Sequence, residues 1–278
     1  TLTPQEAELL GYIIGDGGTS TNTVKFTTPD DELVERISHI LPEIGMNTVL
    51  APISAKYQYS FIMNDKPEPS TQGRIRSDIR KFVTHRELAG KLSKHKVVPP
   101  EIFTSSDEAI AAFLGAYWST DGWISIKPDD GSVQACVTSA SHELIRGVRT
   151  LLLRLGINCY ERYKLSKYDG KGFDSWTIWI SDSRAVEIFK NKIPIHQKKK
   201  AEKLAGAVLR ESNSHTDTIP RGVWLYVKKE LKSRGWSDRH LLDGHIDENA
   251  RIRTKYCPNR EKLARQTEKL DDEFLRNI

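Results

Sequence analysis

The sequence predicts an α+β chain of two pseudo-symmetric αββαββα repeats followed by a small helical C-terminal extension. Three observations carry this expectation. "LLGYIIGDGGTS" from Leu9 and "FLGAYWSTDGWIS" from Phe113 are apolar, small-residue-rich runs that stop at Asp16 and Asp121, 105 residues apart. "FTTPDDELVERISHILPEIGMN" from Phe26 aligns without a gap on "VTSASHELIRGVRTLLLRLGIN" from Val137, at an offset of 111. "SDIR" at Ser77 and "SDSR" at Ser181 then follow in the same order. Ordered self-similarity of this kind marks a duplicated fold.

Each element has a local cause. Thr3-Pro4-Gln5-Glu6 and Ser105-Ser106-Asp107-Glu108 read as capping boxes that start the two helices ending at Asp-Gly. Inside them Gly11 and Gly15, and Ala112, Ala116 and Thr120, recur every four residues, a small-residue face that lets two backbones approach closely. These two helices are therefore expected to pack together on the pseudo-twofold axis. "TVKFTT" and "SVQACVTS" alternate as strands do. Six extra residues around "KPDDGS" precede the second of them, with Asp130-Gly131 as a hairpin tip. Leu33/Leu144, Ile37/Val148 and Leu41/Leu152 keep helical spacing up to Gly45/Gly156. "KYQYSFIM" and "SWTIWIS" are further strands, each followed by a basic helical segment. The expected domains are residues 1–104, 105–215 and 216–278.

With 38% hydrophobic and 28% charged residues, the chain reads as globular and soluble. Leu9–Gly15 is too short to span a bilayer and lacks a signal peptide's basic flank, so no membrane partner and a cytoplasmic location are expected. Cys136, Cys159 and Cys257 form no close pair and no CxxC, which argues for reduced thiols and against zinc. The net charge of +5 is concentrated: residues 74–96 hold eight Lys/Arg against two acids, and residues 146–210 hold fifteen against six. Such runs point to a polyanion partner; scattered solvated lysines are the alternative on charge alone.

The two helix ends pose the sharpest question. A helix C-terminus carries partial negative charge and unsatisfied carbonyls. Two carboxylates delivered there repel the carbonyls and each other. A bound divalent cation removes the conflict, since hard oxygen ligands suit Mg²⁺, which keeps waters that phosphate can replace. A lone Asp-Gly is no more than a helix-to-turn signal; two copies in a duplicated context favour the metal.

The two runs resemble the LAGLIDADG motifs of homing endonucleases, over roughly residues 3–215. "LLGYIIGDG" is close to the form of intein-encoded members, whereas "LGAYWSTDG" departs at Ala116 and Ser119. The resemblance implies two central LAGLIDADG helices, with curved antiparallel sheets forming a DNA-binding saddle. It implies a monomeric endonuclease that cuts both strands of a long, asymmetric DNA site, leaving short 3′ overhangs. Asp16 and Asp121 hold the acid positions, and the carbonyls of Gly15 and Thr120 would join them as metal ligands. Mg²⁺ is the expected cofactor, with Mn²⁺ or Ca²⁺ substituting in binding. One basic residue per active site is also implied. Lys94 or Lys96 in "SKHKVVPP", and Lys198 or Lys199 in "IPIHQKKKAEKL", are the candidates. Lys96 precedes "VVP", Lys199 follows Ile193-Pro194, and Lys94 and Lys198 align at the offset of the Ser-Asp repeat, so the choice within each pair stays open.

Base reading is expected from outward strand positions in the major groove. Ser20, Asn22, Lys25, Lys56, Gln58, Lys127, Gln134, Arg162, Lys164 and Lys167 are the candidates. Tyr57/Tyr59 and Trp176/Trp179 are equally core or contact residues on this reading. "GVWLYVKKELKSRGWSDRHLL" and "NREKLARQTEKLDDEFLRNI" read as helices beyond the repeat, either a helix-turn-helix-like DNA-binding unit or a helical cap or linker. No splicing block is recognisable near Thr1 or Ile278, so no self-splicing is expected. The competing function is a non-cleaving LAGLIDADG protein, an RNA maturase or a transcription regulator. A nucleoid-associated enzyme is the leading expectation.

Overall fold

In the computed structural model, residues 1–53, 59–65, 77–129, 131–168, 171–207, 218–237 and 257–277 are described. They divide into two units, Thr1–Arg210 and Glu211–Ile278.

The first unit contains the duplication. Helix α1 (Pro4–Gly15) leads into strands β1 (Gly17–Gly18) and β2 (Val24–Thr27), helix α2 (Asp31–Glu43), strands β3 (Thr48–Pro52) and β4 (Ser60–Asp65), and helix α3 (Asp78–His85). After the short helix α4 (Pro100–Phe103), the pattern recurs as α5 (Asp107–Thr120), β5 (Gly122–Ile126), β6 (Val133–Ser139), α6 (His142–Arg154), β7 (Tyr160–Tyr168), β8 (Lys171–Ile180) and α7 (Ser183–Lys192), with α8 (Lys198–Ala205) following. Both sheets are antiparallel and share one order, β1-β2-β4-β3 and β5-β6-β8-β7. The chain is therefore α+β with two αββαββα repeats.

Local chemistry fixes the helix ends. Thr3 accepts from the Glu6 amide and Glu6 from the Thr3 amide, the expected capping box. At α5 the N-cap is Ser106, which accepts from Ala109. Ser105, expected inside that box, is instead buried, accepting from the Leu2 amide and donating to the Glu101 carbonyl. Gly45 and Gly156 both take positive φ, +73° and +80°, and the amides beyond them close onto Leu41 and Leu152. A left-handed residue is what this helix stop requires.

The apolar stripes of α2 and α6 join residues from α1, α5 and the core faces of both sheets in one cluster, including Tyr12, Phe26, Phe113, Tyr117, Trp118 and Phe189. α1 and α5 pack side by side through the small residues. A Cβ on Gly11 would meet the Phe113 carbonyl and the Ala116 side chain; one on Gly15 would meet Thr120. A Cβ on Gly115 would meet the Pro194 carbonyl.

The second unit has its own core, with Ile219, Val223, Trp224, Val227, Leu231, Leu263, Leu270 and Leu275. Among its described residues are helices α9 (Val223–Ser233), α10 (Arg260–Thr267) and α11 (Glu273–Arg276). Gly235 breaks the first at φ +67°. The helix sought after it for a helix-turn-helix lies outside the described residues.

Gly11→Ala should lower stability by about 1–3 kcal/mol in urea unfolding, because backbone on the facing helix cannot yield to the new methyl. Gly18→Ala, whose Cβ would find Lys25 at an ordinary 3.6 Å, should stay within about 0.5 kcal/mol of the parent.

Candidate active site at the paired helix ends

The close approach of α1 and α5 persists to their last residues, Gly15 and Thr120. Asp16 and Asp121 come next, their amides still donating to the carbonyls of Tyr12 and Tyr117 at 3.1 Å. The Asp16 charge helps to raise the Asp121 pKa.

Two ammonium groups, one buried and one half-buried, meet the helix-end carbonyls. Lys96 follows a 3-10 turn (Ser93–His95) and is 5% exposed. Its Nζ lies 3.1, 2.8, 3.3 and 2.7 Å from the carbonyls of Ile13, Ile14, Gly15 and Gly17. Lys200, in the first turn of α8, repeats this on α5, with Nζ 3.2, 2.8 and 2.7 Å from the carbonyls of Trp118, Ser119 and Thr120. Lysine is the right residue for such a place, offering three donors and a positive charge to a negative helix end.

Lys200 lies outside the two lysine pairs that the sequence singles out. Lys94, Lys198 and Lys199 have exposed side chains, and Lys198 contributes only its backbone amide, to Glu32 at 3.0 Å. The signal was present. The Ser77/Ser181 offset of 104 that aligns Lys94 with Lys198 also carries Lys96 onto Lys200.

Burial dominates the electrostatics. It pushes Asp121 up to about 6, with Asp16 adding to the rise and Lys96 and Lys200 opposing it. The Asp121 side chain still reaches solvent, so it stands in a crowded but open position. Asp16 is raised for the same leading reason, with Lys200 and Lys96 opposing. Both lysines are pushed below their ordinary range by burial, and both acids pull them back up. Two carboxylates at touching helix ends are hard oxygen donors, the chemistry that suits a divalent cation. The carbonyls of Gly15 and Thr120 have a second lone pair beyond the lysine bond. Among the described residues no group of three or more His, Cys, Asp or Glu is placed to hold a metal ion.

A buried polar network stands behind the acids. Glu8, 3% exposed within α1, accepts two bonds from Arg36 of α2 at 2.8 and 2.7 Å, another from Tyr12 at 3.2 Å, and faces His196 at 3.2 Å. The His196 amide donates to the Ser119 hydroxyl, which donates to the Gly115 carbonyl. Ser119, a departure from the motif, thereby ties α5 to the segment carrying Lys200.

Sheet register separates core from outer face. Lys25 pairs with Ile62 and projects outward, exposed, between buried Val24 and Phe26. Ser20, Asn22 and Lys127 are exposed in hairpin connections rather than on strands. Arg162 and Lys164 are exposed on the outer face of β7. Gln134 corrects the expectation: it lies on the outer face of the interior strand β6 but is only 8% exposed. Lys56 and Gln58 lie outside the described residues, as does the Lys167 side chain. Trp176 packs against the core and stacks on His142, whereas Trp179 is on the outer face.

Residues 3–82 and 108–194, together more than half of the chain, match the family described as LAGLIDADG-like domain. The chain is 28% identical over 265 residues to the replicative DNA helicase DnaB of Synechocystis sp., covering 92% of this chain and 29% of that protein. It is 30% identical over 248 residues to the DnaB of Rhodothermus marinus, covering 87% and 26%. It therefore spans less than a third of the length of these relatives. Among solved structures, it is similar to mesophilic variants of the homing endonuclease I-DmoI, at 16% identity and a TM-score of 0.48 over 73% of this chain and 97% of that one.

Asp121 yields a signed prediction. Its folded pKa of about 6 exceeds the ordinary 3.8, so the folded state binds the proton more tightly and stability falls as pH rises through that window. Without divalent metal, Asp121→Asn should therefore raise Tm above neutral pH. Discounted for solvent screening, about 1 kcal/mol or roughly 2–4 °C is expected. The gain should fade as pH falls towards 3.8. Differential scanning calorimetry across pH checks it.

Proposed function

Because the chain belongs to the LAGLIDADG-like domain family, we propose that it is a site-specific, metal-dependent endonuclease hydrolysing both strands of duplex DNA. One observation carries this reading: two acids emerge from touching helix ends, and a lysine ammonium bonds the terminal carbonyls of each helix. A protein that only binds DNA has no need of two carboxylates at touching helix ends.

Hydrolysis requires a water oxygen to bond phosphorus while the bond from phosphorus to the 3′ oxygen breaks, giving a 5′-phosphate and a 3′-hydroxyl. The attacking water loses a proton, and the departing oxygen gains one. Asp16 and Asp121 would hold Mg²⁺, with the carbonyls of Gly15 and Thr120 completing the protein donors, and Mn²⁺ or Ca²⁺ able to replace it in binding. When bound, the metal would acidify water and stabilise developing charge. Lys96 and Lys200 neutralise the helix-end carbonyls beside the acids and present positive charge to the scissile phosphate.

The outer faces of the two sheets form the DNA-binding saddle on this reading. Lys25, Arg162 and Lys164 are available for base or phosphate contact there, with Ser20, Asn22 and Lys127 at the hairpin ends. The enzyme acts as a monomer on a long, asymmetric site, leaves short 3′ overhangs, and works in the cytoplasm on nucleoid DNA. Among the described residues no helix is long and apolar enough to cross a membrane. We read residues 1–104 and 105–215 as the two repeats and 216–278 as an accessory helical unit. The form of the first motif supports the intein-encoded type. Helicase activity is not carried over from relatives of which the chain spans so little.

A randomised duplex library incubated with Mg²⁺ and sequenced at its cut ends tests the reading. The wild type should release one family of sites. Asp16→Asn and Asp121→Asn should abolish cutting while leaving affinity in Ca²⁺ intact. Lys96→Met and Lys200→Met should each slow cutting by about 10²–10³-fold. Lys94→Met, Lys198→Met and Lys199→Met should retain it. A library that is bound but never cut would favour a non-cleaving binder.

A further inference from the structure

The two sheets differ where their outer faces adjoin the acids. In the second sheet, Trp123, two residues beyond Asp121, pairs with Cys136, Cys136 with Trp179, and Trp179 with Tyr160. Directly paired residues share a face, so this row crosses all four strands on the outer side. The Trp123 and Trp179 rings meet edge to face at 6.1 Å, and Tyr160 lies parallel to Trp179 at 6.4 Å. Arg162, two residues beyond Tyr160 on the same face, holds its guanidinium 5.0 Å from the Tyr160 ring centre and 5.8 Å from that of Trp179. The same row in the first sheet reads Gly18, Lys25, Ile62 and Ala51, with no aromatic ring.

We propose that Arg162, held on this aromatic row, reads a guanine in the half-site bound by the second repeat. The inference rests on the DNA-binding part of the proposed function. A guanidinium stacked on rings keeps its planar fork of N–H donors at its edge, the geometry that matches guanine O6 and N7 in the major groove. Stacking also removes part of the entropy cost of ordering a long side chain. Ordinary phosphate contact would need no such platform. Lys25, the basic residue of the matching row in the first sheet, is a point charge without a fork, so the two half-sites are read by different chemistry.

Selection of bound duplexes from a randomised library in Ca²⁺ tests this without requiring cleavage. The full chain should show one position, confined to one half-site, with a guanine preference of about tenfold or more. Arg162→Ala should erase that preference and leave the other positions unchanged. Trp179→Leu should weaken it at the same position by loosening the platform. If Trp179→Leu does not fold, Arg162→Gln, with an exposed side chain and no fork, should still abolish the guanine preference. An unchanged profile in Arg162→Ala, or a loss spread evenly over all positions, would overturn the assignment. Binding without any cutting in Mg²⁺ would sink the nuclease reading but leave this inference standing. Failure of the wild type to select any duplex would sink both.

Discussion

The architecture depends on charge held at the ends of two touching helices. Small residues let α1 and α5 approach so closely that Gly15 has no room for a side chain beside Thr120. That contact gathers two sets of C-terminal carbonyls, and Asp16 and Asp121 add formal charge to the same end. Left alone, this concentration of negative charge opposes the packing that creates it. Lys96 and Lys200 offset it within the fold by bonding carbonyls of the two helices. Burial weakens each lysine's hold on its proton, while the acids restore it. Acids and lysines thus stabilise one another as a single unit.

The duplication explains how such a unit is built, and its imperfections explain how it is specialised. Both repeats share element order, sheet order and glycine helix stops. The connections differ. Ser141 caps α6 and donates to the Lys96 carbonyl, fixing one lysine segment on the second repeat. The other lysine segment reaches the first repeat, where Gln197 donates to Asp30 and the Lys198 amide donates to Glu32. Each lysine segment is therefore anchored on the opposite repeat, which couples the two helix ends mechanically as well as electrostatically. The outer-face rows beside the acids diverge further, one aromatic and one not.

Sequence revealed much of the frame because its signals are local or periodic. Gly45 and Gly156 announce helix stops, the 22-position repeat announces α2 and α6, and Asp16 and Asp121 announce the helix ends. Lys96 was within reach because an Ile-Pro-like stretch follows it. Lys200 was lost by one residue in a run of three lysines, where composition cannot say which side chain turns inward. The tertiary anchor does, through Gln197 capping α8 and placing Lys200 in its first turn. Gln134 misled because alternation gives the face of a strand but not what covers it. Trp179 and Trp176 were indistinguishable for the complementary reason, since only register shows that one points outward. The role of Ser119 depends on a contact 77 residues away, beyond any local rule.

The most direct measurement is an NMR titration of the ¹³Cε-labelled lysine side chains in the metal-free protein, with Lys96 and Lys200 assigned by substitution. Both should titrate below the ordinary 10.5. Both should fall further when Asp16 and Asp121 are replaced together by Asn. Titration of both alongside the exposed lysines, indifferent to the acids, would contradict the mutual stabilisation of acids and lysines.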